Sequence, residues 1–114
     1  MKIYHNPRCS KSREVLEIIK NNTSGFEIIE YMKYPLTFEE ISVLLSKLKI
    51  NPLQLVRKKE KLWQEKFKNK EMTNNSIIDA MAKHPKLIER PIIIINNKKA
   101  IVGRPIERVL NLFD

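Results

Sequence analysis

The chain has one cysteine, Cys9, among its 114 residues. It falls where a strand-like start, Lys2 to His5, gives way past Asn6-Pro7 to a helical pattern from Ser10. A thiol at that junction faces the free N–H groups and positive dipole end of the helix, which stabilise a negative charge and lower a thiol's pKa. Arg8, Lys11 and Arg13 add positive charge nearby. A lone cysteine is also a common small core residue; the position and basic neighbours of Cys9 favour the reactive reading. No second cysteine exists to resolve an oxidised or covalently modified Cys9. Turnover by thiol exchange therefore needs a thiol from outside the chain.

Three arginines qualify as anion holders. Arg90 precedes Pro91 and a run of four isoleucines, Arg104 precedes Pro105 and a last helical pattern, and Arg57 lies mid-chain. A guanidinium is always charged and grips an oxyanion through parallel hydrogen bonds. Taken singly, each reads more readily as a solvated surface charge, and spacing does not show that they converge. His5, four residues before Cys9, is placed to tune the thiol or orient its loop. His5 and His84 fit no metal-ligand spacing, so no metal site is expected. Two scattered glycines, Gly25 and Gly103, rule out a glycine-rich phosphate loop. Residues 57–71 mix basic side chains with Trp63 and Phe67. That pattern is compatible with nucleic-acid binding; a solvated helix face with its aromatics turned inward is the plainer reading.

The elements that must position these residues follow from periodicity. Val15, Ile18 and Ile19 mark a helix from Ser10 that ends over Asn21 to Gly25, and Phe26 to Tyr31 reads as a strand. Thr37 and Glu40 form a capping-box pattern ahead of Ile41, Leu44, Leu45 and Leu48. Asn51-Pro52 opens a short helix through Leu53 and Val56, and Thr73 opens another carrying Ile77, Ile78 and Met81. Ile92 to Ile95 read as a strand buried on both faces, Asn96-Asn97 as a tight hairpin turn, and Ala100 to Val102 as the return strand. Pro105 opens a last helix with Ile106, Val109 and Leu110. The order is β-α-β, a helical block over about residues 37–84, then β-β-α. It implies one α/β domain, 1–114, with a mixed central sheet.

Apolar residues make up 42 % of the chain, enough for a real core at this length. No stretch approaches a membrane span or a signal peptide, and with a single cysteine the expected place is the cytoplasm. The net charge of +9 favours anionic partners.

Taken together the motifs resemble the glutaredoxin-coupled arsenate reductases. His5-Asn6-Pro7-Arg8-Cys9-Ser10-Lys11-Ser12-Arg13 looks like that family's active-site motif. Leu87-Ile88-Glu89-Arg90-Pro91-Ile92 looks like its second, and Ile101-Val102-Gly103-Arg104-Pro105 like its third. Leu55-Val56-Arg57-Lys58 matches the place of its remaining oxyanion arginine. The resemblance runs through nearly the whole chain in order. It implies a thioredoxin-like fold with an inserted helical subdomain, a cis Pro91, and Arg57, Arg90 and Arg104 around a Cys9 nucleophile. His5, Asn6 and Ser12 would support the thiolate. It further implies arsenate, or a similar oxyanion, as substrate, no bound cofactor, and glutathione and glutaredoxin as external thiol reductants. Two other readings stand beside it: a glutathione-dependent thiol oxidoreductase without arsenate activity, and a non-enzymatic RNA-polymerase-binding regulator.

Overall fold

The computed structural model describes residues 1–114. The chain divides into two units, Met1–Tyr34 with Arg90–Asp114, and Pro35–Glu89.

The first unit holds the sheet. Strand β1 (Lys2–Tyr4) leads through the loop bearing Cys9 into helix α1 (Ser10–Asn22), which returns the chain to strand β2 (Glu27–Ile29). β1 and β2 pair in parallel, Ile3 opposite Ile28, and a parallel pair needs such a crossover connection. After the second unit come β3 (Ile92–Ile94), antiparallel to β1, and β4 (Ala100–Val102), antiparallel to β3. The strand order is β2-β1-β3-β4. This mixed α/β arrangement is the thioredoxin-like fold that the resemblance implies. Ile3, Val15, Leu16, Ile19, Ile93 and Val109 form its core. Val15, Leu16 and Ile19 come from one face of α1, as the i, i+3, i+4 pattern requires.

Two boundaries differ from the sequence reading. Ile92 to Ile94 are all buried, but the strand ends there, and half-buried Ile95 begins the connection to β4. That connection is not a two-residue turn: the Ile95 and Asn96 N–H groups both reach the Lys99 carbonyl, and Asn96 Oδ1 accepts from the Lys98 and Lys99 N–H groups. An asparagine side chain that closes its own loop replaces the backbone turn. The last helix, α6, spans only Glu107–Leu110, with Pro105 in the turn ahead of it.

In the second unit, the expected caps form. Thr37 Oγ1 accepts from the Glu40 N–H while Glu40 returns the bond to Thr37, opening α2 (Phe38–Leu48). Asn51 and Gln54 make the same reciprocal pair at α3 (Pro52–Leu55). Helix α4 (Lys61–Lys66), unmarked by any clear periodicity, buries Trp63. Thr73 caps α5 (Asn74–Lys83), which buries Ile77, Ile78, Ala80 and Met81. Glu89 N–H bonds the Leu55 carbonyl and Arg57 N–H the Leu87 carbonyl, flanking a bridge from Val56 to Ile88. No helix of either unit is long and apolar enough to cross a membrane.

Candidate active site

Cys9 is the N-cap residue of α1, in extended conformation. Its N–H bonds the Asn6 carbonyl at 3.0 Å and its carbonyl accepts the Arg13 N–H, the first helical bond. Asn6 Oδ1 accepts from the Arg8 N–H, and Arg13 Nη1 donates to the Pro7 carbonyl at 2.9 Å. The loop is therefore held from both ends, and Cys9 is buried at the start of the helix.

Ser12 is fully buried one turn in. Its Oγ accepts the Asn6 N–H at 3.0 Å and lies 2.7 Å from His5 Nδ1. A buried hydroxyl proton needs an acceptor, and Nδ1 supplies it when the ring is neutral with its proton on Nε2. The electrostatics agree. Burial pushes the His5 pKa down, the Glu30 charge pulls it partly back, and Lys20 and Arg13 push it down again; the net is below the ordinary value. His5, Asn6 and Ser12 thus brace the loop.

Two arginines from β-strand ends meet the sulfur. Arg104, just past β4, donates from Nη2 to Cys9 Sγ at 3.6 Å. Arg90, just before β3, lowers the Cys9 pKa by stabilising the thiolate with its guanidinium charge. Burial alone would raise the Cys9 pKa, but it is outweighed. The Ser12 N–H, the Arg90 guanidinium and the Lys11 N–H all stabilise the thiolate, and the net pKa lies below that of an ordinary thiol. Arg90 is only 8 % exposed. Its Nε and Nη1, and Nε of Arg104, are buried with no hydrogen-bond partner. Buried N–H donors without acceptors are costly, and here they belong to two cations beside a nucleophile. An oxyanion is the ligand such donors fit.

The Arg90–Pro91 and Arg104–Pro105 bonds are both cis. Gly103 N–H bonds the Pro91 carbonyl at 2.8 Å, and a Cβ at Gly103 would stand 3.0 Å from Pro91 Cγ and 3.2 Å from Val109 Cγ2. A side chain at Gly103 would crowd Pro91 and Val109, so glycine suits the close approach of the two proline segments, each carrying an arginine.

The structure thus brings Cys9, Arg90 and Arg104 together from positions far apart in the chain. Arg57 belongs to the helical unit, where Nη1 pairs with Glu60 Oε2 at 2.9 Å. Sequence reasoning did not single out Glu60, although an acid three residues after an arginine is a readable pairing signal. Trp63, stacked on half-buried Phe67, packs inward and is no exposed stacking platform. No group of three or more potential metal-ligating side chains occurs.

Comparison with known proteins bears on this geometry. The ArsC family model matches residues 4–112. The chain is 37 % identical over 111 residues to the arsenate reductase of Neisseria meningitidis serogroup B, covering 96 % of this chain and 94 % of that one.

The chain belongs to the ArsC family of arsenate reductases.

It is also 42 % identical over 114 residues to the Escherichia coli protein "Uncharacterized protein YfgD", covering 98 % of this chain and 95 % of the other. Among solved structures, "Arsenate reductase from Vibrio cholerae" superposes with a TM-score of 0.88 at 40 % identity, over 97 % of each chain. The matched span of the ArsC model takes in Cys9, Arg57, Arg90 and Arg104 together.

Proposed function

We propose that this ArsC-family chain reduces arsenate to arsenite in the cytoplasm, with Cys9 as nucleophile and Arg90, Arg104 and Arg57 as the oxyanion site. The observation that carries the reading is the Cys9 sulfur beneath two guanidinium groups with buried, unpaired N–H donors. The Cys9 thiolate attacks arsenic(V) of a bound arsenate. A sulfur–arsenic bond forms, one arsenic–oxygen bond breaks, and that oxygen leaves as water with protons from arsenate and solvent. Arg90 and Arg104 stabilise negative charge on the remaining oxygens as attack proceeds. Arg57 is assigned by the family resemblance, and in the helical unit its guanidinium pairs with Glu60. Glutathione displaces a second arsenic oxygen as water, glutaredoxin then takes the glutathione sulfur into a mixed disulfide and leaves arsenic(III) on Cys9, and water cleaves that sulfur–arsenic bond to release arsenite and the Cys9 thiol. Overall, arsenate gains two electrons and loses one oxygen as water, and the two thiols become a disulfide. A chain with one cysteine has no other source for those electrons.

The test is arsenite production from arsenate with glutathione and a glutaredoxin supplied, native protein against Cys9→Ser. Turnover in the native protein that vanishes in the variant supports the reading. No turnover in a folded protein with a reactive thiol overturns it.

A further inference from the structure

The lysines, Trp63 and Phe67 within residues 57–71 are unused by the chemistry at Cys9. Some of them border a cavity of about 410 Å³ in the second unit. It lies between the segment from Phe67 to Met72 and the face of α5 that carries Ser76, Asp79, Ala80 and Lys83. Small-molecule sites occupy roughly 300–1,000 Å³ and pair apolar walls with a few polar groups. Phe67 is a fixed wall of this one. Its ring stacks on buried Trp63, 5.7 Å between centroids, and meets the His84 ring at 6.0 Å, tilted by 56°. An aromatic surface already held by two neighbours receives a flat ring with little left to order. Met72 and Ala80 extend the apolar lining.

The charges select an anion. Asp79 and Lys83 are spent on each other, 2.9 Å apart. Lys70 is exposed and pairs with no carboxylate, and its Nζ stands over the Phe67 ring, 5.6 Å from the centroid. The ring quadrupole attracts the ammonium, which keeps N–H donors for a ligand. Glu71 also lines the cavity, but exposed Lys66, Lys68 and Lys70 outnumber it in its own segment. The local field is therefore positive and draws anions.

We propose that this cavity binds a small aromatic carboxylate, its ring against Phe67, Met72 and Ala80 and its carboxylate on Lys70. Every lining residue belongs to the second unit, whereas Cys9, Arg90 and Arg104 belong to the first. The site thus stands whether or not the chain reduces arsenate.

The probes are 2-naphthoate and its neutral isostere 2-naphthamide, titrated into the whole protein while its backbone amide signals are followed by nuclear magnetic resonance. 2-Naphthoate should bind with a Kd of about 1 mM or tighter, the range of a fragment-sized ligand. It should shift the amides of Met72, Ala80 and His84. It should bind about fivefold more tightly than 2-naphthamide, the scale of one exposed ion pair. Lys70→Glu, at an exposed side chain, should abolish that preference and leave the Kd of 2-naphthamide within about twofold. Lys98→Glu, the same charge change in the loop between β3 and β4, should leave both Kd values within about twofold. The proposal is overturned by no saturable binding, by shifts centred on Cys9 and Ser12, or by equal affinity for the two probes. A preference that survives Lys70→Glu, or that falls equally in both lysine variants, overturns it as well.

Discussion

At Cys9 burial and charge act against each other. Burial disfavours the thiolate, and the Ser12 N–H and the Arg90 guanidinium more than compensate. Arg90→Ala removes a guanidinium that stabilises the thiolate. The pH midpoint of Cys9 alkylation by iodoacetamide should therefore move upward. Arsenate kcat/KM should fall about 100-fold or more, as for a lost donor to a developing oxyanion. A midpoint that stays in place would leave the lowered pKa to the helix N-terminus and Arg104. His5 shows the opposite balance. Its folded-state pKa is depressed, first by burial, so the unfolded chain binds more protons than the folded one as pH falls below about 6.5. Stability should decline as pH falls through that window and level off below the depressed folded value. His5→Asn should flatten the decline in urea midpoints measured between about pH 7.5 and pH 5, whatever its effect on stability at neutral pH.

At the scale of elements, what the sequence reveals depends on how local the cause is. The Thr37–Glu40 box, the Asn51 cap and the Thr73 cap were legible because each is a contact across three residues. Cys9 at the start of α1 was legible for the same reason. The end of β3 was not: Asn96 bonds two N–H groups across a longer loop, a choice made by geometry that the Asn-Asn pair does not encode. Helix α4 was legible only as the plainer reading of residues 57–71, without bounds, because its one buried side chain, Trp63, gives no periodic stripe. Arg90 and Arg104 could be named as candidates, but their meeting at Cys9 is made by strand pairing across most of the chain. Gly103 appeared only as part of a motif, and its cause is the narrow gap to Pro91 and Val109. Gly103→Ala should therefore destabilise the protein by about 1–3 kcal/mol, the usual cost of forcing a methyl into a packed site. The denaturant midpoint measures this. A loss of less than about 0.5 kcal/mol, within the range of ordinary surface substitutions, would mean that the Pro91 ring yields and that the close approach is not what requires glycine.

Across the whole molecule, 22 basic against 13 acidic side chains give a field that attracts anions before any contact forms. Nearest the sulfur that field is fixed by Arg90 and Arg104, and it is widened by Arg8, Lys11 and Arg13 around the loop. Such attraction is a long-range effect and salt removes it, because the screening length shrinks from about 30 Å at 0.01 M to about 3 Å at 1 M. Direct hydrogen bonds to a bound oxyanion act at contact and are screened far less. The two contributions separate by alkylating Cys9 with anionic iodoacetate and neutral iodoacetamide across that salt range. The iodoacetate rate should fall severalfold as salt rises while the iodoacetamide rate holds within about twofold, the pattern of electrostatic steering. An iodoacetate advantage that persists at high salt would place the attraction in the two guanidinium groups at the sulfur. No advantage at any salt would mean that their charge is spent on the Cys9 thiolate itself.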